Sequence, residues 1–186
     1  QTVCRHLCEG MARRGHRVTV LATDAASRVK RFDDLHEVIR GVEVVRVRNR
    51  SQRLVAANLY TPRGLRAALL PLLRAHDFVH VHDIFNWLTY RALAEAERAG
   101  VPALLSTDNL LNFRGRPERV LARRLLYRLF GAASMRRATL IHAIREGEFD
   151  PDAVGVPREK IRYIPNGVAY PPAAGDAARF RQRHQL

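Results

Sequence analysis

Apolar positions along the chain alternate between two rhythms. One recurs every three to four residues, as on a helix, and the other runs as short blocks, as in a buried strand. Val3, Leu7, Cys8 and Met11 keep helical spacing, so the chain opens in an amphipathic helix that Gly15 ends. Residues 17–22 (R-V-T-V-L-A) and 42–47 (V-E-V-V-R-V) read as strands. The polar stretch 23–41 between them reads as loop with a short element. Thr61-Pro62 reads as the start of a helix to about residue 75, with Thr61 as N-cap and Pro62 at the first helical position. Strand 78–82, helix 87–99 closed by Gly100, and strand 101–107 follow. A long basic helix is expected over 117–136. Strand 139–144, a short helical turn at 151–154 and strand 161–164 complete the pattern.

Strands alternating with helices of this length predict a Rossmann-like α/β domain with a doubly wound parallel sheet. Such a domain normally starts with a central strand and a tight glycine-rich turn. Here the pattern starts inside a helix and contains no G-x-G-x-x-G, so the sheet is expected to lack its first strand. Residues 1–168 are read as one domain. Residues 169–186 are read as a Pro/Ala/Gly-rich linker and the start of a further domain.

Composition adds limits. With 47% hydrophobic and 27% charged residues in 186, the chain can bury one real core. No apolar run reaches the roughly 20 residues that span a bilayer. The net charge of +14 is almost all arginine, since lysine occurs only at 30 and 160. Such a surface attracts phosphates, anionic lipids or nucleic acid. Cys4 and Cys8 lie one helical turn apart, a geometry poorly suited to a disulfide, so two reduced thiols are expected. His80 and His82 share a strand face, but no third ligand stands at a convincing spacing, and no metal is expected.

Four stretches in order resemble family 4 glycosyltransferases: L-C-E-G-M-A-R-R-G-H-R-V-T-V-L at 7–21, D-F-V-H-V-H-D at 77–83, A-G-V-P-A-L-L-S-T-D-N at 99–109 and G-V-P-R-E-K-I-R-Y-I-P-N-G-V at 155–168. The last is the most specific. The resemblance implies the N-terminal, acceptor-side half of a GT-B fold, in which two Rossmann-like lobes face across a cleft. It implies a retaining transfer of a hexosyl group from a nucleotide-sugar donor to a hydroxyl acceptor, a sugar or a lipid-linked glycan precursor. It implies no cofactor and no metal. It also implies a cytoplasmic setting, with a possible peripheral hold on an anionic inner-membrane face. These residues alone, without a donor lobe, are expected to be inactive.

In an open parallel sheet the ligand crevice lies beyond the carboxyl ends of the strands. His82 and Asp83 end one strand and Asp108 and Asn109 follow the next, so all four are expected at one rim. Asp108 stands where the resemblance leads one to expect histidine. A carboxylate there could accept hydrogen bonds from sugar hydroxyls, stabilise oxocarbenium-like charge or act as a nucleophile. Asp108 and Asn109 could equally terminate the strand by bonding the local backbone. His82, Asp83, Asn109 and Arg119 are the candidate acceptor contacts, Arg119 because it stands near a helix N-terminus. Arg116, Arg123 and Arg124 could rest on anionic lipid or form a solvated face over the apolar side of their helix. Asn166 and Gly167 are candidates beside the donor cleft, or a structural bend in which Gly167 takes a turn conformation other residues resist. Trp87 and Tyr90 could line the acceptor cleft or belong to the core.

Two other readings remain open. A basic nucleic-acid-binding module has charge alone in its favour, with no aromatic or zinc-finger motif, so no nucleic-acid partner is expected. An epimerase or phosphorylase of GT-B type would keep the fold and change the chemistry.

Overall fold

The computed structural model describes residues 2–27, 29–55, 59–85, 87–107, 117–167, 181–183 and 185. Helix α1 (Thr2–Arg13) leads through Gly15, at φ 87°, into strand β1 (Thr19–Thr23). Strands β2 (His36–Ile39) and β3 (Val42–Val47) follow. The short helix α2 (Gln52–Val55) and helix α3 (Leu65–Ala75) lead to β4 (Val79–His82). Helix α4 (Trp87–Ala99) leads to β5 (Ala103–Ser106). Then come α5 (Pro117–Leu126), a π-helical turn (Tyr127–Gly131), α6 (Ala132–Arg137) and β6 (Leu140–Ala143). Helix α7 (Pro151–Val154), a 3-10 turn (Arg158–Lys160) and β7 (Ile161–Tyr163) end the pattern.

The strands form two sheets, ordered β1-β3-β2 and β4-β5-β6-β7. The second sheet is wholly parallel, with His82 opposite Ser106 and Ser106 opposite His142. The first sheet departs from the all-parallel expectation, because β2 runs antiparallel to β3. The cause is local. Arg40 and Gly41 take φ of 50° and 82°, the left-handed pair that closes a two-residue hairpin. The short element expected within residues 23–41 is therefore an edge strand.

Both sheets point the same way. Thr19 Oγ1, at the start of β1, lies 3.1 Å from His76 Nε2, just before β4. Cys4, near the start of α1, hydrogen-bonds His82 at the far end of β4. A helix returning beside its own strand can meet those two points only if β1 and β4 run in parallel.

The main core lies on one face of the second sheet. Leu105 and Ile141 are fully buried there with Ala103, Ala143 and Ile161. Leu69 and Leu73 of α3, Leu93 and Ala96 of α4, and Met135 of α6 cover them. Burying this many aliphatic side chains, at about 1.5–3 kcal/mol each, is the main stabilising term of the domain. Glu95 is buried in α4 yet satisfied by Arg66, Arg91 and Arg98 at 3.0–3.2 Å.

Three further expectations change. Thr61 does not cap a helix: its amide and hydroxyl meet Asn49 Oδ1, and α3 starts after Gly64 at φ 72°. The Asn49–Pro62 bridge holds the segment extended, and that pairing outweighs the local capping preference. The long basic helix is interrupted at residues 127–131 by the π turn. Val3 and Leu7 of α1, placed inward by periodicity, stay 44% and 41% exposed, while Glu9 is buried among Arg5, Arg13 and Arg40. An ionic cluster has taken the inward position because three guanidinium groups converge there.

Candidate active site

The carboxyl ends of β4, β5 and β6 bring polar side chains into one row. Side chains alternate faces along a strand, so His80, His82, Ser106 and His142 share the sheet face opposite the main core. The rings of His80 and His82 stack at 4.3 Å. Ser106 Oγ, on a residue 1% exposed, lies 2.7 Å from His80 Nε2 and 2.8 Å from His142 Nδ1. His142 Nε2 lies 2.7 Å from the carbonyl oxygen of Ile164.

These contacts define the proton positions. A carbonyl oxygen only accepts, so His142 donates from Nε2 and a neutral ring then accepts at Nδ1. Ser106 must therefore donate its single hydroxyl hydrogen to His142. Its oxygen in turn accepts from His80 Nε2. The result is a directed chain from His80 through Ser106 and His142 to the Ile164 carbonyl. It presents the face of His80 to the ring of His82 at the rim.

Helix α1 adds two thiols to this row. Cys4 and Cys8 are free and half-buried. The Cys8 thiol, and then the imidazole of His82, hydrogen-bond the Cys4 sulfur and hold its pKa down to about 4. Cys8 is pushed up, first because it donates to Cys4 and then by burial. The pair thus keeps one proton, on Cys8, with the negative charge on Cys4 against His82.

Beyond the strand ends the backbone is shaped by side chains. Asp83 has φ 74°, a left-handed conformation uncommon outside glycine. Its Oδ1 accepts from Phe85 N at 2.9 Å, which stabilises the turn, and Thr89 Oγ1 donates to the His82 carbonyl at 3.2 Å. Strain of this kind concentrates where a scaffold aims residues at a ligand. Thr107 is fully buried and donates to Glu148 Oε1 at 2.6 Å. Glu148 Oε2 accepts from Ile144 N at 2.8 Å, so one carboxylate ties β5 to the loop after β6.

His82 and Asp83 therefore sit together at the rim, as the sequence implied. Asp108 and Asn109 lie outside the described residues, as does Arg116. Arg119 belongs to α5, but its side chain is outside the description. Asn166 and Gly167 follow β7, whose pairing with β6 continues through Ile164 N to the Ala143 carbonyl. Gly167 does not have the left-handed backbone expected of it, and nothing lies within 4 Å of where a Cβ would stand. Residues 164–167 contain neither a bend nor a turn. Tyr90 packs on Phe130 at 6.0 Å and under Arg137, so it belongs to the helix layer rather than the rim. Trp87 is 40% exposed, with the Arg91 guanidinium 5.8 Å from its ring centre. Sequence reading missed Cys4, Ser106, His142 and Glu148 as site residues. Single polar residues in apolar strands carry no spacing signal, and only strand register brings them together. Among the described residues no three His, Cys, Asp or Glu side chains are placed to hold a metal ion, and no helix is long and apolar enough to cross a membrane.

A parallel α/β domain whose strand ends gather histidine, serine, threonine and carboxylate at one rim is a Rossmann-like ligand-binding domain. The glycosyl transferase 4-like domain matches residues 1–167, and the chain belongs to that family. Its fold is accordingly a Rossmann-like half of the GT-B type, and its chemistry is glycosyl transfer. No curated protein matches the chain.

Proposed function

We propose that the protein transfers a hexosyl group from a nucleotide-sugar to a hydroxyl acceptor with retention, and that this domain is the acceptor side of a cleft closed by a second, donor-binding lobe. The acceptor is a sugar or a lipid-linked glycan precursor, handled on the cytoplasmic face of a membrane. Under this reading His82 and Asp83 contact the acceptor, together with Asn109 and Arg119. Asp108 serves the reacting centre as a carboxylate, and Asn166 and Gly167 border the donor side. Neither metal nor cofactor takes part.

The observation that carries the reading is the row His82, Ser106, His142 in register at the strand ends. Ser106 and His142 are bonded to each other and to the Ile164 carbonyl, so the row supports His82 at the rim from behind, and the His80–Ser106–His142 chain fixes the ring tautomers in advance. Pre-oriented donors and acceptors cost no reorganisation when the ligand arrives. These residues alone, without the donor lobe, are inactive in transfer.

The test uses protein expressed from its complete reading frame, with a panel of nucleotide-sugars and a membrane extract as acceptor source. Acceptor-dependent release of nucleoside diphosphate, with the product's anomeric proton keeping the donor's configuration, is the expected result. Release that needs no acceptor, or an inverted product, overturns the reading. Transfer by residues 1–186 alone overturns the two-lobe part of it.

A further inference from the structure

A second site lies at the same edge of the fold, beyond the ends of β1 and β3, in residues that the transfer chemistry above does not use. Arg31, Arg48, Asn49, Arg50 and Arg63 line an open cleft of about 480 Å³. That volume lies within the range of about 300–1,000 Å³ typical of small-molecule sites. Those sites are mostly apolar, and this one is lined by four guanidinium groups.

The cleft is built, with its arginines held by backbone pairing. Asp24, directly after β1, is fully buried and receives Arg31 Nη1 at 2.8 and 3.0 Å and the Asn49 amide at 2.8 Å. Arg31 Nη1 also reaches the Asn49 carbonyl at 2.7 Å, and Arg48 approaches Asp24 at 3.5 Å. Asn49 Oδ1 accepts from Thr61 N at 2.6 Å, Arg50 N donates to the Thr61 carbonyl at 2.9 Å, and Arg63 N donates to the Arg48 carbonyl at 2.7 Å. Residues 48–50 and 61–63 thus form a small antiparallel ladder around the Asn49–Pro62 bridge. Alternation puts Arg48 and Arg50 on one face of that ladder, and Arg63, opposite Arg48, stands with them.

Charge then points to the ligand. Among the described residues, the only carboxylate paired with the cleft's arginines is Asp24, which takes Arg31 and Arg48. Arg50 and Arg63 are exposed and have no acidic partner among the described residues. Arg31 and Arg48 share one buried negative charge while Arg50 and Arg63 add two more positive charges, and the net excess along the cleft favours an anion. Arginine forks match phosphate oxygens in pairs, and neutral sugar hydroxyls make no such demand. We propose that this cleft binds a phosphate or diphosphate group, and that the acceptor of the transfer is phosphorylated. The second half of this statement rests on the transferase reading above; the first does not.

Inorganic pyrophosphate titrated into the protein at physiological salt, followed by phosphorus NMR and calorimetry, tests the site. Saturable binding is expected, weakened at least tenfold in the double variant Arg50→Ala/Arg63→Ala. Arg74→Ala/Arg145→Ala removes equal charge elsewhere and is expected to leave binding within twofold of wild type. Arg50→Gln/Arg63→Gln, checked by thermal melting, guards against a folding defect. Equal weakening in both double variants, or no pyrophosphate binding, overturns the proposal.

Two further arms separate the sources of phosphate and the two levels of the argument. Phosphatidylcholine vesicles with and without phosphatidic acid are offered to wild type and to Arg50→Ala/Arg63→Ala. Variant-sensitive binding to the acidic vesicles assigns the phosphate to a lipid; pyrophosphate binding without it assigns a soluble phosphate. In the transfer assay the double variant is expected to raise the acceptor KM at least tenfold with little change in kcat. Transfer with an unchanged acceptor KM sinks the phosphorylated acceptor and leaves the transferase reading intact. Pyrophosphate binding without any transfer keeps the phosphate site and sinks the transferase reading, and the phosphorylated acceptor with it.

Discussion

The Thr107 hydroxyl donates to the Glu148 carboxylate at 2.6 Å, and through this one buried contact the end of β5 is fastened to the loop that follows β6. Glu148 also accepts from the Ile144 amide at 2.8 Å, so its two oxygens hold two segments of the rim together. Removing the side chain leaves the part-buried Ile144 amide without this acceptor and shifts the buried Thr107 hydroxyl onto its longer contact with the His142 carbonyl at 3.3 Å.

Glu148→Ala is therefore expected to lower stability by about 2–3 kcal/mol, the cost of one unsatisfied amide and one weakened hydroxyl bond. Glu148→Gln is expected to cost only about 1 kcal/mol. Its amide oxygen still accepts from Ile144 N, and its NH2 donates to Thr107 Oγ1, whose hydrogen turns to the His142 carbonyl 3.3 Å away. Urea denaturation of the two variants measures the difference. Equal losses would mean that the carboxylate charge, rather than the hydrogen bonds, fastens the rim.

Cys4 and Cys8 are expected to differ in reactivity despite similar exposure. With Cys4 held down to about 4, its iodoacetamide alkylation rate is expected to stay nearly flat from pH 6 to 8. An ordinary thiol accelerates several tens-fold over that interval as its thiolate fraction grows. Peptide mapping of the labelled protein identifies the site. A steep rise for Cys4, or faster labelling of Cys8, would remove the thiolate from the rim. His82→Ala is expected to restore part of the pH dependence.

Acid lability follows from two carboxylates. Burial raises the pKa of Asp24, but the Asn49 amide and then Arg31 outweigh it and leave the group below its ordinary 3.8. Burial likewise raises Glu95, and Arg66, with the charges of Arg98 and Arg91, brings it below its ordinary 4.5. A lowered folded-state pKa means that the unfolded chain takes up protons first. The stabilisation is complete above about pH 5 and is lost as pH falls through and below the ordinary values. Unfolding free energies at pH 7, 5, 4 and 3 are expected to fall steadily below pH 5. Asp24→Asn and Glu95→Gln are each expected to start from a lower stability and to show a shallower acid limb. An unchanged slope in both would assign the acid loss to other groups.

Gly131, at the end of the π turn, packs against the rim loop. A Cβ there would stand 2.6 Å from Tyr127 Cδ2 and 3.2 Å from the Ile84 carbonyl oxygen. Helix propensity favours alanine by about 1 kcal/mol, whereas overpacking costs about 1–3 kcal/mol. The clash involves a ring carbon and backbone, neither of which yields easily. Gly131→Ala is therefore expected to lower stability by up to about 2 kcal/mol, read by thermal and urea unfolding. A more stable variant would show that the turn can relax.

Much of this architecture was legible in the order of residues alone. Strand β3, helix α4 and helix α7 fall where apolar spacing and the flanking glycine or proline put them, because each signal lies within the element. The pairing of His82 with Asp83 at a strand end was equally local. Strand β2 was legible only as an unspecified short element, because its partner supplies the evidence for a strand and its own residues are mostly exposed. Thr61 was misread for the same reason: a preference worth about 1 kcal/mol yielded to a bridge from Asn49, twelve residues earlier. Sequence by itself determined the alternation of elements, the apolar faces and the family, since these depend on neighbours a few residues apart. Only the tertiary structure decided that Ser106 links two histidines, that Cys4 meets His82, and that four arginines line one cleft. Those contacts join residues tens of positions apart, and register and packing set their distances.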